Sequence, residues 1–291
     1  MKRLIIIMTA LGIASGSFAV YASPKEDLKI FRAHFKKRFP KVKFKDFKDG
    51  IYALDADRRA AWLDWEDFAP PYTDSIDLGK KLFRKKLKSG KTLASCFKRG
   101  GIGIKQNFPY FDKAQGKVIT LEVAINDCMV KNGEKPYKWG KGKLAAISGY
   151  MAYTSRGKKI KIKVPNDPRA LAAYEQGKRF FYSKRGQLNF SCADCHVYNP
   201  GTMARGMLLS PALGQATHWP VWRRKWAKKA ASKGDTGPTA GLGTIQRRYK
   251  GCNKQVRAKP FKFQSPQYRA LEYFHTYMSN GLPINGPGLR Q

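Results

Sequence analysis

The segment NFSCADCHVY, residues 189–198, holds the most restrictive feature of the chain, a C-x-x-C-H run from Cys192 to His196. In this spacing two thiols can add to the vinyl groups of a haem, and the histidine that follows can ligate the iron. A disulfide-exchange motif needs only the two cysteines, so the histidine favours haem over that alternative or coincidence. We therefore predict one haem c, tethered by Cys192 and Cys195, with His196 as its proximal ligand.

Residues 1–22 have the features of a secretory signal peptide. Lys2 and Arg3 precede a short apolar run, and small residues lead to a cleavage site after Ala22. The run is too short to span a bilayer, and nothing later in the sequence resembles a membrane segment. We expect a periplasmic protein without membrane insertion, in a compartment where disulfides persist. An uncleaved N-terminal anchor is the alternative.

The chain is strongly basic, with a formal net charge of +37. Such a charge is typical of proteins that bind nucleic acid, but export argues against nucleic acid as a partner. An acidic protein partner, an anionic small substrate or a general adaptation of exported proteins remain as explanations.

Two pairs of similar segments indicate that the exported chain contains two copies of one unit. Each copy begins with a glycine, basic and apolar residues and a Ser-Cys pair, and it ends with an aromatic segment closed by Ser-x-Gly. Features that recur in the same order indicate a repeat rather than two unrelated helical segments with similar caps. The corresponding segments are 77–96 and 174–192, followed by 149–157 and 273–281.

We therefore predict a mainly α-helical protein with two tandem cytochrome c-like domains. The first would span residues 23–157 and the second, with the haem, residues 170–291. Residues 158–169 alternate in polarity and are stopped by prolines, which is typical of a linker. The first copy reads Cys-Phe-Lys-Arg-Gly at 96–100, where the second has C-x-x-C-H, so we expect it to lack haem.

The chain has five cysteines, and haem attachment uses two of them. Cys96 and Cys128 both lie in the haem-free copy, where they would face the empty haem site, so we predict a disulfide between them rather than free buried thiols. Cys252 would remain unpaired. Five of the eleven residues around it in QRRYKGCNKQVR (246–257) are Lys or Arg, which stabilise a thiolate and favour metal binding and nucleophilic reactivity. An intermolecular disulfide or a packed thiol is the alternative.

The second axial ligand of the iron is left open by this reasoning. Methionine is the usual choice for electron transfer, and thiolate is a rarer one that lowers the potential. The two histidines fit better as packing or hydrogen-bonding residues. The candidates in the haem unit are Met203, Met207, His218, His275, Met278 and Cys252.

Four motifs together resemble the SoxA subunit of the bacterial sulfur-oxidation system, and the similarity covers nearly the whole exported chain. Besides C-x-x-C-H, they are GQATHWPVWRR (214–224), the RRYKGC run before Cys252, and YMSNGLPINGPGLR (277–290). The segments ASCFKRGGIG and LEVAINDC resemble the single-haem branch of the family.

The resemblance implies an L-cysteine S-thiosulfotransferase that works as a heterodimer with a small c-type cytochrome, SoxX. Such proteins join thiosulfate oxidatively to a cysteine on the flexible tail of a carrier, SoxYZ, and the electrons leave through haem. Cys252 would then be the distal iron ligand and the catalytic cysteine, carried as a persulfide, and Arg248 would bind substrate. Arg247 is the alternative clamp, because adjacent side chains point in different directions.

Two other functions compete with this one. A thiosulfate dehydrogenase, which couples two thiosulfates to tetrathionate, would need no carrier protein. A simple electron-transfer cytochrome with a methionine-ligated iron would have no need of Cys252.

Overall fold

The computed structural model describes residues 23–204 and 206–290, so the predicted signal peptide lies outside the described residues. Within the described ranges, no helix is long and apolar enough to cross a membrane. The described residues are mainly helical, as predicted. The helices are α1 (Pro24–Arg38), α2 (Ala56–Phe68), α3 (Thr73–Arg84), α4 (Leu121–Lys131), α5 (Gly142–Tyr153), α6 (Pro168–Tyr182), α7 (Arg224–Ala231), α8 (Ile245–Gln255) and α9 (Pro266–Tyr277).

In the described part of the chain, short strands form three small sheets among these helices. Strand β5 (Val221–Arg223) is the centre of the three-stranded sheet, with β6 (Leu242–Gly243) antiparallel on one side and β7 (Gly288–Arg290) parallel on the other. This sheet brings the C-terminal segment next to the residues that follow the haem motif. The strands are β1 (Tyr110–Asp112), β2 (Lys117–Ile119), β3 (Met203–Ala204), β4 (Met207–Leu208), β5 (Val221–Arg223), β6 (Leu242–Gly243) and β7 (Gly288–Arg290).

Each unit contains one close crossing of two helices, α3 with α5 in the first and α6 with α9 in the second. In the N-terminal unit Gly79 of α3 faces Ala146 of α5, and in the C-terminal unit Gly177 of α6 faces Ala270 of α9. A Cβ on Gly79 would lie 2.1 Å from the alanine carbonyl oxygen, and one on Gly177 would lie 2.0 Å from its counterpart. Only glycine allows the two backbones to approach so closely. The same crossing in both units confirms the predicted two-copy, mainly α-helical fold.

The helix ends follow from local sequence. Thr120 caps α4 by accepting a hydrogen bond from Val123 N, and Asp167 caps α6 immediately before Pro168. A glycine with φ near +80° follows the last helix of each unit, Gly157 after α5 and Gly281 after α9. Residues 158–162 then pair with residues 280–284, which ties the predicted linker to the end of the second unit.

The N-terminal segment packs against the second unit. Phe31 and Phe35 of α1 belong to the apolar cluster that surrounds Tyr174 and Phe274. Asp27 reinforces the contact by accepting hydrogen bonds from Tyr174 Oη at 3.0 Å and from a lysine of α6. A separate apolar cluster, centred on α4 and α5, forms the core of the first unit.

Candidate active site

The haem motif is presented by a tight helical turn, Asp194–Tyr198. Asp194 and Ser191 fix the start of this turn, because the carboxylate accepts hydrogen bonds from Ser191 N and Oγ at 2.8 and 2.9 Å. Ser191 Oγ accepts one in return from Asp194 N at 3.0 Å. This reciprocal cap, of the kind that starts helices, holds Cys192 and Cys195 on the same turn as His196.

His196 is oriented as a metal ligand would be. Its Nδ1 lies 2.8 Å from the carbonyl oxygen of Ser210, which fixes the ring and leaves Nε2 to face the interior. Burial lowers the pKa of His196 to about 4, so the imidazole is neutral at physiological pH. A neutral imidazole is the form that binds iron.

A cavity of about 980 Å³ lies next to this turn. Cys192, Cys195 and His196 are partly accessible because their side chains line it. Its volume is at the upper end of the range for cofactor sites, and much of the wall is apolar. Two thiols, an oriented imidazole and a large apolar cavity together fit a covalently attached haem. The apolar wall includes Phe181, Phe190, Leu209, Trp219, Ile245 and Leu271.

Cys252 lines the same cavity from helix α8. Burial, followed by the charge of Cys252, raises the pKa of Cys192 to about 12. The candidate catalytic cysteine therefore faces the site where the haem would be attached.

Arg248 and Arg247 point in different directions from α8. Arg248 lies one helical turn before Cys252 and lines the cavity with it. Arg247 instead donates a hydrogen bond from Nη1 to the carbonyl oxygen of Leu242 at 2.8 Å. Its guanidinium also stacks 4.0 Å from the ring centroid of Trp226. Of the two adjacent arginines, only Arg248 lines the cavity.

The structure adds Arg223, which the sequence analysis did not single out. This residue of β5 is 6% exposed and lines the cavity, with Nη2 3.4 Å from Met207 Sδ. Burial, followed by the positive charge of Arg248, lowers its pKa to about 9, and Cys252 opposes the shift. The cavity that Cys252 lines is therefore also lined by two guanidinium groups, those of Arg223 and Arg248. Arg223 is 29 residues from Cys252, and only the pairing of β5 with β6 brings the two together.

The other candidate iron ligands have different surroundings. His218 lies 2.9 Å from the buried Arg290 guanidinium, and His275 Nδ1 lies 3.0 Å from Tyr249 Oη, although both residues also line the cavity. Met203 is 57% exposed and Met278 is 1% exposed in the core, and neither belongs to the cavity wall. Met207 lines the cavity as Cys252 does.

The haem-free unit contains a disulfide between Cys96 and Cys128. In the repeat these positions correspond to Cys192 and Cys252, which line one cavity in the other unit. Asn132 packs beside the bond, and its Nδ2 lies 3.6 Å from Cys128 Sγ. The bridge thus joins the position that matches Cys192 to the position that matches Cys252.

Comparison with known proteins places both units in one family. A sequence model described as the SoxA/TsdA cytochrome c domain matches residues 78–160, which lie in the unit without the C-x-x-C-H motif. The L-cysteine S-thiosulfotransferase subunit SoxA of Chlorobaculum tepidum is 47% identical over 289 residues, 99% of this chain and 96% of the relative.

The subunit of the same name from Allochromatium vinosum is 46% identical over 271 residues, 93% of this chain and 91% of the relative. The crystal structure of SoxXA from P. pantotrophus superposes with a TM-score of 0.68 at 29% sequence identity, covering 80% of this chain and 84% of that chain. Because similarity at this level extends over both units, the chain belongs to the SoxA family.

Proposed function

We propose that this protein is the catalytic cytochrome subunit of an L-cysteine S-thiosulfotransferase. It would join thiosulfate oxidatively to a cysteine of a SoxYZ-type carrier protein, with a SoxX-type cytochrome c as its heterodimer partner and electron acceptor. The names of the relatives from Chlorobaculum tepidum and Allochromatium vinosum support the activity. One observation carries the assignment: Cys252, Arg248 and Arg223 line the same cavity as the haem-binding motif.

The overall reaction forms one S–S bond and releases two electrons. The carrier thiol and thiosulfate become a carrier S-thiosulfonate, one proton leaves the thiol, and the two electrons must reach an acceptor. The bound haem would supply the one-electron relay between the sulfur chemistry and the partner cytochrome.

The residues of this chain would bind and orient the reactants. Arg248 and Arg223 offer planar donor groups that suit the sulfonate oxygens of a dianion. With the sulfonate held there, the terminal sulfur of thiosulfate would point toward Cys252, which we propose as the catalytic cysteine in persulfide form and as the distal iron ligand.

The rest of the molecule would serve delivery and assembly. We propose cleavage of residues 1–22 and maturation in the periplasm, with a single haem c on Cys192 and Cys195. We propose the first cytochrome unit, residues 23–157, as a haem-free unit joined through residues 158–169 to the catalytic unit, residues 170–291. The positive charge of the chain would attract both the thiosulfate dianion and an acidic carrier.

Arg248→Gln, with Arg247→Gln as its matched control, tests the proposed substrate contact. The assay contains the haem-loaded protein, its SoxX-type partner, the carrier, thiosulfate and an oxidant. Intact-protein mass spectrometry then measures how much of the carrier is conjugated. We expect Arg248→Gln to raise the KM for thiosulfate about tenfold or more, the usual effect of losing one charged hydrogen bond, and Arg247→Gln to leave it unchanged.

Two outcomes would contradict the proposal. Tetrathionate formed at full rate without carrier would indicate a thiosulfate dehydrogenase. A Cys252→Ser protein that still conjugates the carrier would remove the catalytic cysteine from the mechanism and leave an electron-transfer cytochrome as the better account.

A further inference from the structure

A second, smaller depression of about 190 Å³ adjoins the main cavity, and we call it the tryptophan groove. One wall is a face of α2 that carries Arg58, Ala61, Trp62 and Trp65, residues spaced as neighbours along one side of a helix. The opposite wall comes from the three-stranded sheet and the residue after it. It consists of Trp222, Arg224, Leu289 and Arg290, and Tyr52 completes the lining.

The floor of the groove is rigid. Trp62 is 8% exposed and stacks on Tyr52, with ring centroids 4.8 Å apart and planes 6° from parallel. The Arg290 guanidinium carbon lies 4.9 Å from the centroid of the same Tyr52 ring. Trp222 is fixed by close packing on Gly241, where a Cβ would lie 2.3 Å from the indole nitrogen.

Trp65 differs from these residues because 53% of its surface is exposed, although it lines the groove. A tryptophan with half its surface in water, beside a preformed depression, is typical of a residue that anchors a protein partner.

The groove is continuous with the main cavity. Arg58, Arg224 and Arg290 line both of them. Lys225 and Lys228, exposed on α7 beside Arg224, line the main cavity and mark its mouth. An extended chain lying in the tryptophan groove would therefore lead directly to the mouth.

The charges around the tryptophan groove indicate the kind of peptide segment that would bind there. None of the nine residues that line the groove is acidic, and three are arginines. Arg58 forms an ion pair with Asp55 at 3.0 Å, while Arg224 is exposed between the groove and the mouth. Arg290 is buried against His218, so the exposed cations are Arg224 and the two lysines at the mouth. An extended segment with carboxylate side chains would complement these cations, and its apolar parts would pack on Trp65 and Trp222.

We propose that the tryptophan groove binds an extended acidic segment of the carrier protein and thereby directs the carrier thiol into the main cavity. The inference rests on the proposed function for the identity of the partner. It adds a recognition site outside the cavity, so that carrier affinity and thiosulfate affinity depend on different residues.

Trp65→Ala and Ala61→Glu test this site. The first removes the exposed anchor, and the second places a carboxylate on the groove wall without disturbing the floor. Phe68→Ala is the control, because Phe68 is 94% exposed on the same helix but does not line the groove. Trp65→Phe should restore part of the loss. Circular dichroism and the haem absorption spectrum check that each variant is folded and loaded.

Two readouts separate binding from chemistry: the Kd of the haem-loaded protein for fluorescently labelled carrier, and the rate of carrier conjugation. We expect Trp65→Ala and Ala61→Glu to raise the Kd and the KM for carrier about tenfold, the usual effect of losing an interface tryptophan. The KM for thiosulfate should stay the same, and Phe68→Ala should match the wild type.

An unchanged Kd in Trp65→Ala and Ala61→Glu would overturn the groove inference, while conjugation by the wild type would leave the proposed function standing. Equal losses in Phe68→Ala would also overturn it, because they would show a non-specific effect of α2. If the wild-type protein binds the carrier through the groove but forms no conjugate, the proposed function is contradicted and the groove inference stands.

Discussion

Two buried glutamates, one in each unit, predict an unusual dependence of stability on pH. Glu122 on α4 accepts a hydrogen bond from Ser148 Oγ at 2.7 Å, and Glu272 on α9 accepts one from Gln246 Nε2 at 2.9 Å. The two carboxyl groups are 4% and 2% exposed. Burial, followed by the charge of Glu122, raises the pKa of Glu272 from 4.5 to about 8, and Lys105 opposes the shift.

The sign of this pH dependence follows from the number of protons that the folded and the unfolded chain bind. Below pH 4.5 Glu272 is protonated in both the folded and the unfolded chain, so it adds no pH dependence. Between 4.5 and about 8 only the folded chain keeps the proton, so the free energy of unfolding falls as pH rises. The slope is about 1.4 kcal/mol per pH unit, and the loss over the interval is at most about 5 kcal/mol.

Glu272→Gln removes this ionisation while keeping an oxygen that can accept from Gln246. Urea unfolding of the haem-loaded protein at pH 5, 6, 7 and 8 measures the effect. We expect the variant to gain stability relative to the wild type as pH rises, most of all at pH 8. Glu26→Gln, on the surface of α1, should leave the wild-type pH dependence intact. Parallel curves for Glu272→Gln and the wild type would refute this account of the buried pair.

Three further predictions concern the scaffold and the site. Gly177→Ala should lower the free energy of unfolding by about 2 kcal/mol, measured by urea titration, because its Cβ would meet the Ala270 carbonyl and force the helices apart; a neutral effect would contradict the close crossing. The double variant Cys96→Ser, Cys128→Ser should cost about 3–4 kcal/mol in the same assay, as expected for a bridge of this loop length, and leave haem content unchanged. Arg223→Gln should raise the KM for thiosulfate about tenfold in the conjugation assay, since it removes one of two guanidinium groups; an unchanged KM would exclude it from the substrate site.

Features that repeat or that obey a strict spacing could be predicted from the sequence. The C-x-x-C-H run indicated the haem unit, and the recurring glycine and Ser-x-Gly segments indicated the two-copy helical fold. The orientation of Arg248 also follows from helix geometry, because residues four apart share a face and Cys252 lies four residues later. A helix prediction for α8 therefore favours Arg248 over Arg247 as the arginine on the same face as Cys252.

Contacts between distant segments could not be predicted. Arg223 reaches Cys252 only through the pairing of β5 with β6, and strands of two or three residues have too little periodicity to be recognised. The packing of α1 on the second unit and the tryptophan groove likewise join segments far apart in the chain. No local pattern in these segments shows which distant segment of the chain each will contact, since long-range packing overrides local preference.

Peptide mass mapping of the Cys252 segment tests whether Cys252 is the catalytic cysteine. The protein is matured in a periplasm, purified without reductant, and mapped before and after incubation with thiosulfate and an oxidant. We expect one haem on Cys192 and Cys195, and additional sulfur or a thiosulfate adduct on Cys252. A haem-loaded protein whose Cys252 stays unmodified and unreactive would contradict this role, and Met207, the methionine candidate that lines the cavity, would then be the first iron ligand to test.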